Sequence, residues 1–195
     1  MAKEFWEYNK FIVQPEKESS KKKNYWNILN PGGNKMAGIY QKKESLWARF
    51  LRFIGVKMCY AADIVIEDPE GNPIVGLKKT AGLGGAFEIS GKDTKIRLGK
   101  VKETKSKLEA SKYEFFSPNG KFLGALEGNW SNCSLQMKDR NNASIGKVST
   151  DADRLNPVIF SQKNFYVVDL YIDQNEAPWR KFLLSTAAAM VAIMR

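Results

Sequence analysis

The residues of this chain best suited to do chemistry are cations interleaved with aromatics. Lys42, Lys43, Arg49, Arg52 and Lys57 surround Leu46, Trp47, Phe50 and Leu51. Within Ser45–Ile54, Leu46, Trp47, Phe50, Leu51 and Ile54 follow helical spacing, while Arg49 and Arg52 fall off that stripe and Phe53 is imperfectly placed. A basic amphipathic helix with a tryptophan on its apolar face suits an anionic membrane interface, where each cation contributes roughly 1 kcal/mol. The alternative is a connecting helix whose apolar stripe packs against the domain while its arginines face water. Lys21-Lys22-Lys23 reads either as a phosphate-touching loop or as a solvated one. Lys78, Lys79, Lys100, Lys102, Lys105 and Lys107 add a diffuse basic surface.

Other chemistries are excluded or lack the needed spacing. The 195 residues contain no histidine, which removes Ser-His-Asp triads, Cys-His dyads and zinc-histidine sites together. Gly82-Leu-Gly-Gly85 lacks the Gly-Lys-Ser/Thr of a phosphate loop. Cys59 and Cys133 have no activating partner in their neighbourhood and read as structural thiols. Asp68, Glu88 and Glu127 are not paired by spacing for acid–base work, so no enzyme is expected. The net charge is +10, yet neither a zinc finger nor an RNA-recognition signature accompanies it, so nucleic acid is not the expected partner. Two cysteines and no basic-apolar leader lead us to expect an intracellular location, cytoplasmic or peripheral to a membrane.

The elements that must position these residues are mostly strands. Hairpin grammar recurs in Tyr25–Tyr40, Asp63–Leu77, Tyr113–Leu126 and Ser134–Val148: an apolar strand, a turn rich in Asp, Asn, Pro and Gly, then a strand carrying a glycine. The strand glycines Gly38, Gly76, Gly124 and Gly146 mark bends or close approach, as a sheet that curls requires. Their uneven spacing of 38, 48 and 22 positions rules out a fixed-period solenoid or propeller. Further strands are expected at Lys10–Gln14, Ala86–Ser90, Lys95–Val101, Lys107–Ala110 and Asn164–Ile172. After Pro178, a helix from Phe182 to Met194 is apolar on every side. Such a helix is buried in protein or lipid, and it is shorter than the roughly 20 residues that span a bilayer. The expectation is mainly β: one domain over residues 1–195, a closed antiparallel barrel around a central helix at 181–195.

Asn164-Phe-Tyr-Val-Val-Asp-Leu-Tyr-Ile-Asp173 followed by Phe182-Leu-Leu-Ser-Thr-Ala-Ala-Ala-Met-Val-Ala-Ile193 resembles the end of a Tubby C-terminal-like domain. It is similar in particular to the phospholipid scramblase and LURP-one-related branches. The resemblance covers roughly Lys10 to Arg195 and implies a barrel of about twelve strands threaded by the last helix. It also implies binding of anionic phospholipid at a membrane surface. The alternatives are lipid scrambling proper or a regulatory scaffold with a protein partner. The long proline-rich leader and the acylated cysteine cluster of animal scramblases are missing here. In scramblases a similar Asp-Ala-Asp stretch belongs to a proposed calcium segment, which makes Asp151, Asp153 and Asp169 the candidate calcium ligands. Turn chemistry is the other reading of Asp151 and Asp153, because Arg154 follows directly and no EF-hand glycine or glutamate is present. No other cofactor is implied.

Overall fold

Apolar residues alternating with polar ones set the strands. The computed structural model describes residues 5–16, 25–42, 62–79, 86–91, 96–105, 111–129, 133–150, 165–171 and 180–193. A 3-10 turn, Phe5–Glu7, precedes β1 (Lys10–Pro15), β2 (Tyr25–Leu29), β3 (Lys35–Gln41) and β4 (Ala62–Glu67). Then come β5 (Pro73–Lys79), β6 (Phe87–Gly91), β7 (Arg97–Lys105) and β8 (Ser111–Phe116). The chain ends with β9 (Phe122–Asn129), β10 (Ser134–Asp139), β11 (Ser144–Ser149), β12 (Tyr166–Leu170) and α1 (Arg180–Ile193). Each strand pairs with its sequence neighbour, and β12 returns to β1 in the register Lys10↔Asp169 to Val13↔Tyr166. Twelve antiparallel strands therefore close on themselves, which leaves no sheet edge open for pairing.

One rim is built from a repeated turn. Asn30, Asp68, Ser117 and Asp139 each accept the backbone N–H of the residue three places on, and each side chain also accepts the N–H four places on. The third residue after each adopts positive φ: Gly33 at 84°, Gly71 at 89°, Gly120 at 78° and Asn142 at 65°. Type I turns followed by a left-handed residue give short hairpin loops, and glycine or asparagine meets that demand with least strain.

Just beyond each turn the ladder slips by one residue, always on the returning strand. The residues skipped are Met36, Ile74, Leu123 and Ile145, and the β6–β7 pair skips Leu98 in the same way. All five pack against the main core. A bulge adds twist and re-aims a side chain, so these insertions draw five apolar residues over one end of the barrel. The sixth place, where the starts of β1 and the end of β12 meet without a hairpin, is taken by Trp6 of the 3-10 turn, also packed on the core.

The barrel is filled by α1. Nine consecutive residues, Phe182 to Met190, are no more than 1% exposed, so the helix is enclosed on all sides. Phe182 meets Phe115 edge-on at 5.9 Å, and Thr186 Oγ1 donates to the carbonyl of Phe182 at 2.7 Å, so that buried hydroxyl is satisfied within the helix. At the helix start the buried Arg180 donates to the carbonyls of Trp6 (2.8 Å) and Tyr8 (3.0 Å) and to Asn9 Oδ1. Lys181 Nζ lies 3.7 Å from the Trp6 ring centre. These bonds tie the first described residues to the last element.

The mainly β class, the closed barrel and the buried terminal helix are as expected from the sequence. The strands proposed at Lys10–Gln14, Ala86–Ser90, Lys95–Val101 and Asn164–Ile172 coincide with β1, β6, β7 and β12 within a few residues. Lys107–Ala110 and the amphipathic run Ser45–Ile54 lie outside the described residues.

Candidate functional site

Strand directions divide the barrel into two rims with different chemistry. The repeated turns occupy one rim. At the other, β1 connects to β2, β3 to β4, β5 to β6, β7 to β8, β9 to β10 and β11 to β12. The 42–61 connection there carries Lys42, Lys43, Arg49, Arg52 and Lys57 against Glu44. The 16–24 connection carries Lys17, Lys21, Lys22 and Lys23 against Glu16 and Glu18. The other connections that begin and end at this rim each balance to zero in sequence. By sequence, the connections that begin at the turn rim carry Asp68, Glu70, Asp93, Asp173 and Glu176 against Lys92, Lys95, Lys121 and Arg140, with Arg180 and Lys181 following at the start of α1. By sequence, the positive charge of the connections thus falls mainly in two that begin and end at one rim.

Of the basic residues proposed for membrane contact, Lys42 is described. It follows β3 and donates its N–H to the carbonyl of Asp63 at 2.8 Å. Its Nζ lies 3.6 Å from Asp63 Oδ2, with both side chains about half exposed. A pair so wet contributes little to stability. Lys43, Trp47, Arg49, Arg52 and Lys57 lie outside the described residues, between the anchors Gln41 and Ala62.

Of the proposed calcium ligands, Asp151 and Asp153 also lie outside the described residues. Asp169 sits in β12, with Lys10 on one neighbouring strand and Lys147 on the other as its register partners. Among the described residues no three His, Cys, Asp or Glu side chains gather as a metal site.

A second basic surface lies on the outer wall of β6 to β9, towards the turn rim. Register aligns Lys100 with Phe116 and Phe116 with Phe122 across three strands. The two phenylalanine rings meet edge-on at 5.8 Å, and Lys102 Nζ lies 5.3 Å from the Phe116 ring centre. Glu88 serves both Arg97 (3.5 Å) and Lys100 (3.6 Å). Also on this wall Lys112 lies 3.2 Å from Glu114, the register partner of Lys102, and Lys138 lies 2.5 Å from Glu127. Lys121 in the adjoining turn is exposed, and Ile96 at the head of β7 is 57% exposed. Reading along the chain found Lys100 and Lys102 but not their aromatic companions. The phenylalanines are 14 or more positions away and meet the lysines only through cross-strand register.

On another part of the outer surface, Tyr25 reaches from β2 across β3 to β4. Its hydroxyl donates to Glu67 Oε1 at 2.9 Å, both groups being buried. Its ring passes over Gly38, where any Cβ would overlap the phenol. Tyr40 stacks alongside at 6.5 Å, and Lys35 Nζ lies 4.8 Å from the Tyr25 ring centre. Burial first, then the bond to Glu67 and its negative charge, raise the Tyr25 pKa far above its usual value. Below about pH 10 the phenol is protonated in folded and unfolded chains alike, and the contact contributes in full. Above that, the unfolded chain ionises while the folded one keeps its proton, so stability falls as pH rises. Tyr25→Phe is expected to lower stability by about 1 kcal/mol at neutral pH. It is also expected to flatten the decline above about pH 10; denaturant melts across alkaline pH check both effects.

The solved structures supply a likeness in fold. A crystal structure of a protein from Arabidopsis thaliana superposes with a TM-score of 0.57 at 15% identity, over 95% of this chain and 92% of that one. At that identity the match supports the barrel fold and nothing finer. No protein-family model and no curated protein matches the sequence.

Proposed function

We propose that this protein is a non-enzymatic intracellular domain of the scramblase and LURP-one-related kind, which binds anionic phospholipid as a peripheral membrane protein. The observation that supports this reading is that the two most cationic connections of the sequence begin and end at one rim of a closed barrel. A field of one sign at one end attracts and orients the molecule on a negative surface, and salt weakens that attraction. The 42–61 connection adds Trp47 and its apolar neighbours, the residue types that settle at the headgroup level. Acid–base catalysis is not favoured: the sequence has no histidine, and among the described residues the side-chain carboxylates of Asp63, Glu88, Glu114 and Glu127 are engaged in ion pairs.

Co-sedimentation with phosphatidylcholine vesicles, with and without phosphatidylserine, tests the reading. The protein is expected to pellet with the acidic vesicles at low salt and to be released at high salt. Failure to pellet with acidic vesicles at low salt overturns it. A stoichiometric protein complex in pull-downs would then favour a regulatory scaffold. Lipid scrambling would require α1 to leave the barrel, since its surface from Phe182 to Met190 is enclosed. A fluorescent-lipid flip assay with and without calcium is expected to show no transport.

A further inference from the structure

We infer that the outer wall of β7, β8 and β9 is itself a contact surface for an anionic bilayer, separate from the basic rim. This rests on the phospholipid-binding reading and assigns it a second set of residues. On this wall Glu88 serves Arg97 and Lys100, and Glu114, the register partner of Lys102, is paired with Lys112. Lys102 and Lys121 pair with no described carboxylate, whereas Lys112, Lys138 and Lys42 each have one. The excess positive charge calls for a negative partner.

The aromatics make that partner a bilayer rather than a small anion. Phe116 and Phe122 are half-buried, lie on the same outward face as Lys100, and meet edge to face, with the Lys102 ammonium over the Phe116 ring. A flat strand surface with phenylalanines between lysines offers apolar area to the acyl boundary while the ammonium groups stay at the phosphates. A free phosphate would use the lysines and leave the rings idle. The surface lies at the turn end of the barrel, opposite the rim where Lys42 and Ala62 anchor the intervening connection, so the two sets can be separated by mutation.

The experiment measures partition of the full chain onto phosphatidylcholine–phosphatidylserine vesicles for wild type and three variants. Lys102→Glu/Lys121→Glu is expected to weaken partition at least tenfold at low salt. Lys10→Glu/Lys147→Glu makes the same change in net charge on strands flanking β12, four strands from β8, and is expected to change partition less than threefold. Phe122→Ser is expected to lower the fraction that stays bound at high salt, with thermal melts verifying that each variant is folded. If wild type binds and Lys102→Glu/Lys121→Glu binds equally well, the wall is not a contact and the phospholipid reading stands on the rim alone. Equal losses in both charge-reversed pairs would reduce the effect to net charge and overturn the assignment to this face. A loss with the lysines but none with Phe122→Ser would reduce the contact to headgroup electrostatics and overturn the part given to the rings. Absence of wild-type binding would overturn the phospholipid reading, and this inference with it.

Discussion

A chain ending at residue 181 is expected to be insoluble or to melt without a cooperative transition. The missing segment includes Phe182, Leu183, Leu184 and Met190, each no more than 1% exposed. Burial of such side chains contributes roughly 1.5–3 kcal/mol each. Four of them together match the whole net stability of a typical domain, about 5–15 kcal/mol. The loss does not stop there, because the inward residues of the strands, such as Phe11, Ile39 and Phe115, would face an emptied lumen. The interior of the closed sheet is apolar and is filled by this helix, so the sheet cannot stand alone. Size-exclusion chromatography and a denaturant melt of the truncated chain check this. A soluble, monomeric protein with a sharp transition would show that the helix is an accessory and not the core.

Gly124→Val is expected to destabilise by about 3 kcal/mol or more. Gly124 pairs with Asp139 across the β9–β10 ladder, and an added Cβ would overlap the carbonyl oxygen of Lys138. That oxygen belongs to a strand backbone held on both sides, so it cannot swing aside as a side chain tip does. Gly76→Ala is the control. The one neighbour within reach there is Ser90 Oγ at 3.2 Å, which can rotate, and the cost is expected to stay within about 1 kcal/mol. Urea melts of the two variants should differ in midpoint by an amount that is easy to resolve. Equal midpoints would mean that the barrel wall yields at Gly124.

The architecture was legible in the sequence because its signals are local and repeated. The turn residues Asn30, Asp68, Ser117 and Asp139 mark four hairpins by side chains that bond four residues ahead. The all-apolar run after Phe182 marks the one element with no solvent face. What the sequence blurred was the purpose of the strand glycines, which look alike along the chain. Gly38 makes room for the Tyr25 ring on the outer surface, Gly146 for Met137 and the backbone of Asp169, and Gly76 faces only the movable Ser90 hydroxyl. Those differences depend on which strand lies alongside, and that is fixed by register.

The bulge residues were hidden for the same reason. Met36, Ile74, Leu98, Leu123 and Ile145 break the two-residue alternation, and the slip of the ladder turns each onto the core. The candidate site was legible in its charges and not in its geometry. The amphipathic grouping of Trp47, Arg49 and Arg52 is a property of sequence alone. The Lys100–Phe116–Phe122 row exists only because three strands align. Arg180 gave no signal either, since its acceptors at Trp6, Tyr8 and Asn9 stand more than 170 positions away.

The most direct test is the partition coefficient of the full chain on phosphatidylcholine vesicles as phosphatidylserine content and ionic strength are varied independently. A domain held by a basic rim and a basic wall is expected to show binding that rises steeply with the anionic fraction and falls steadily as salt screens the surface. Binding that ignores the anionic fraction, or no binding to acidic vesicles at the lowest salt, would contradict a phospholipid-binding role.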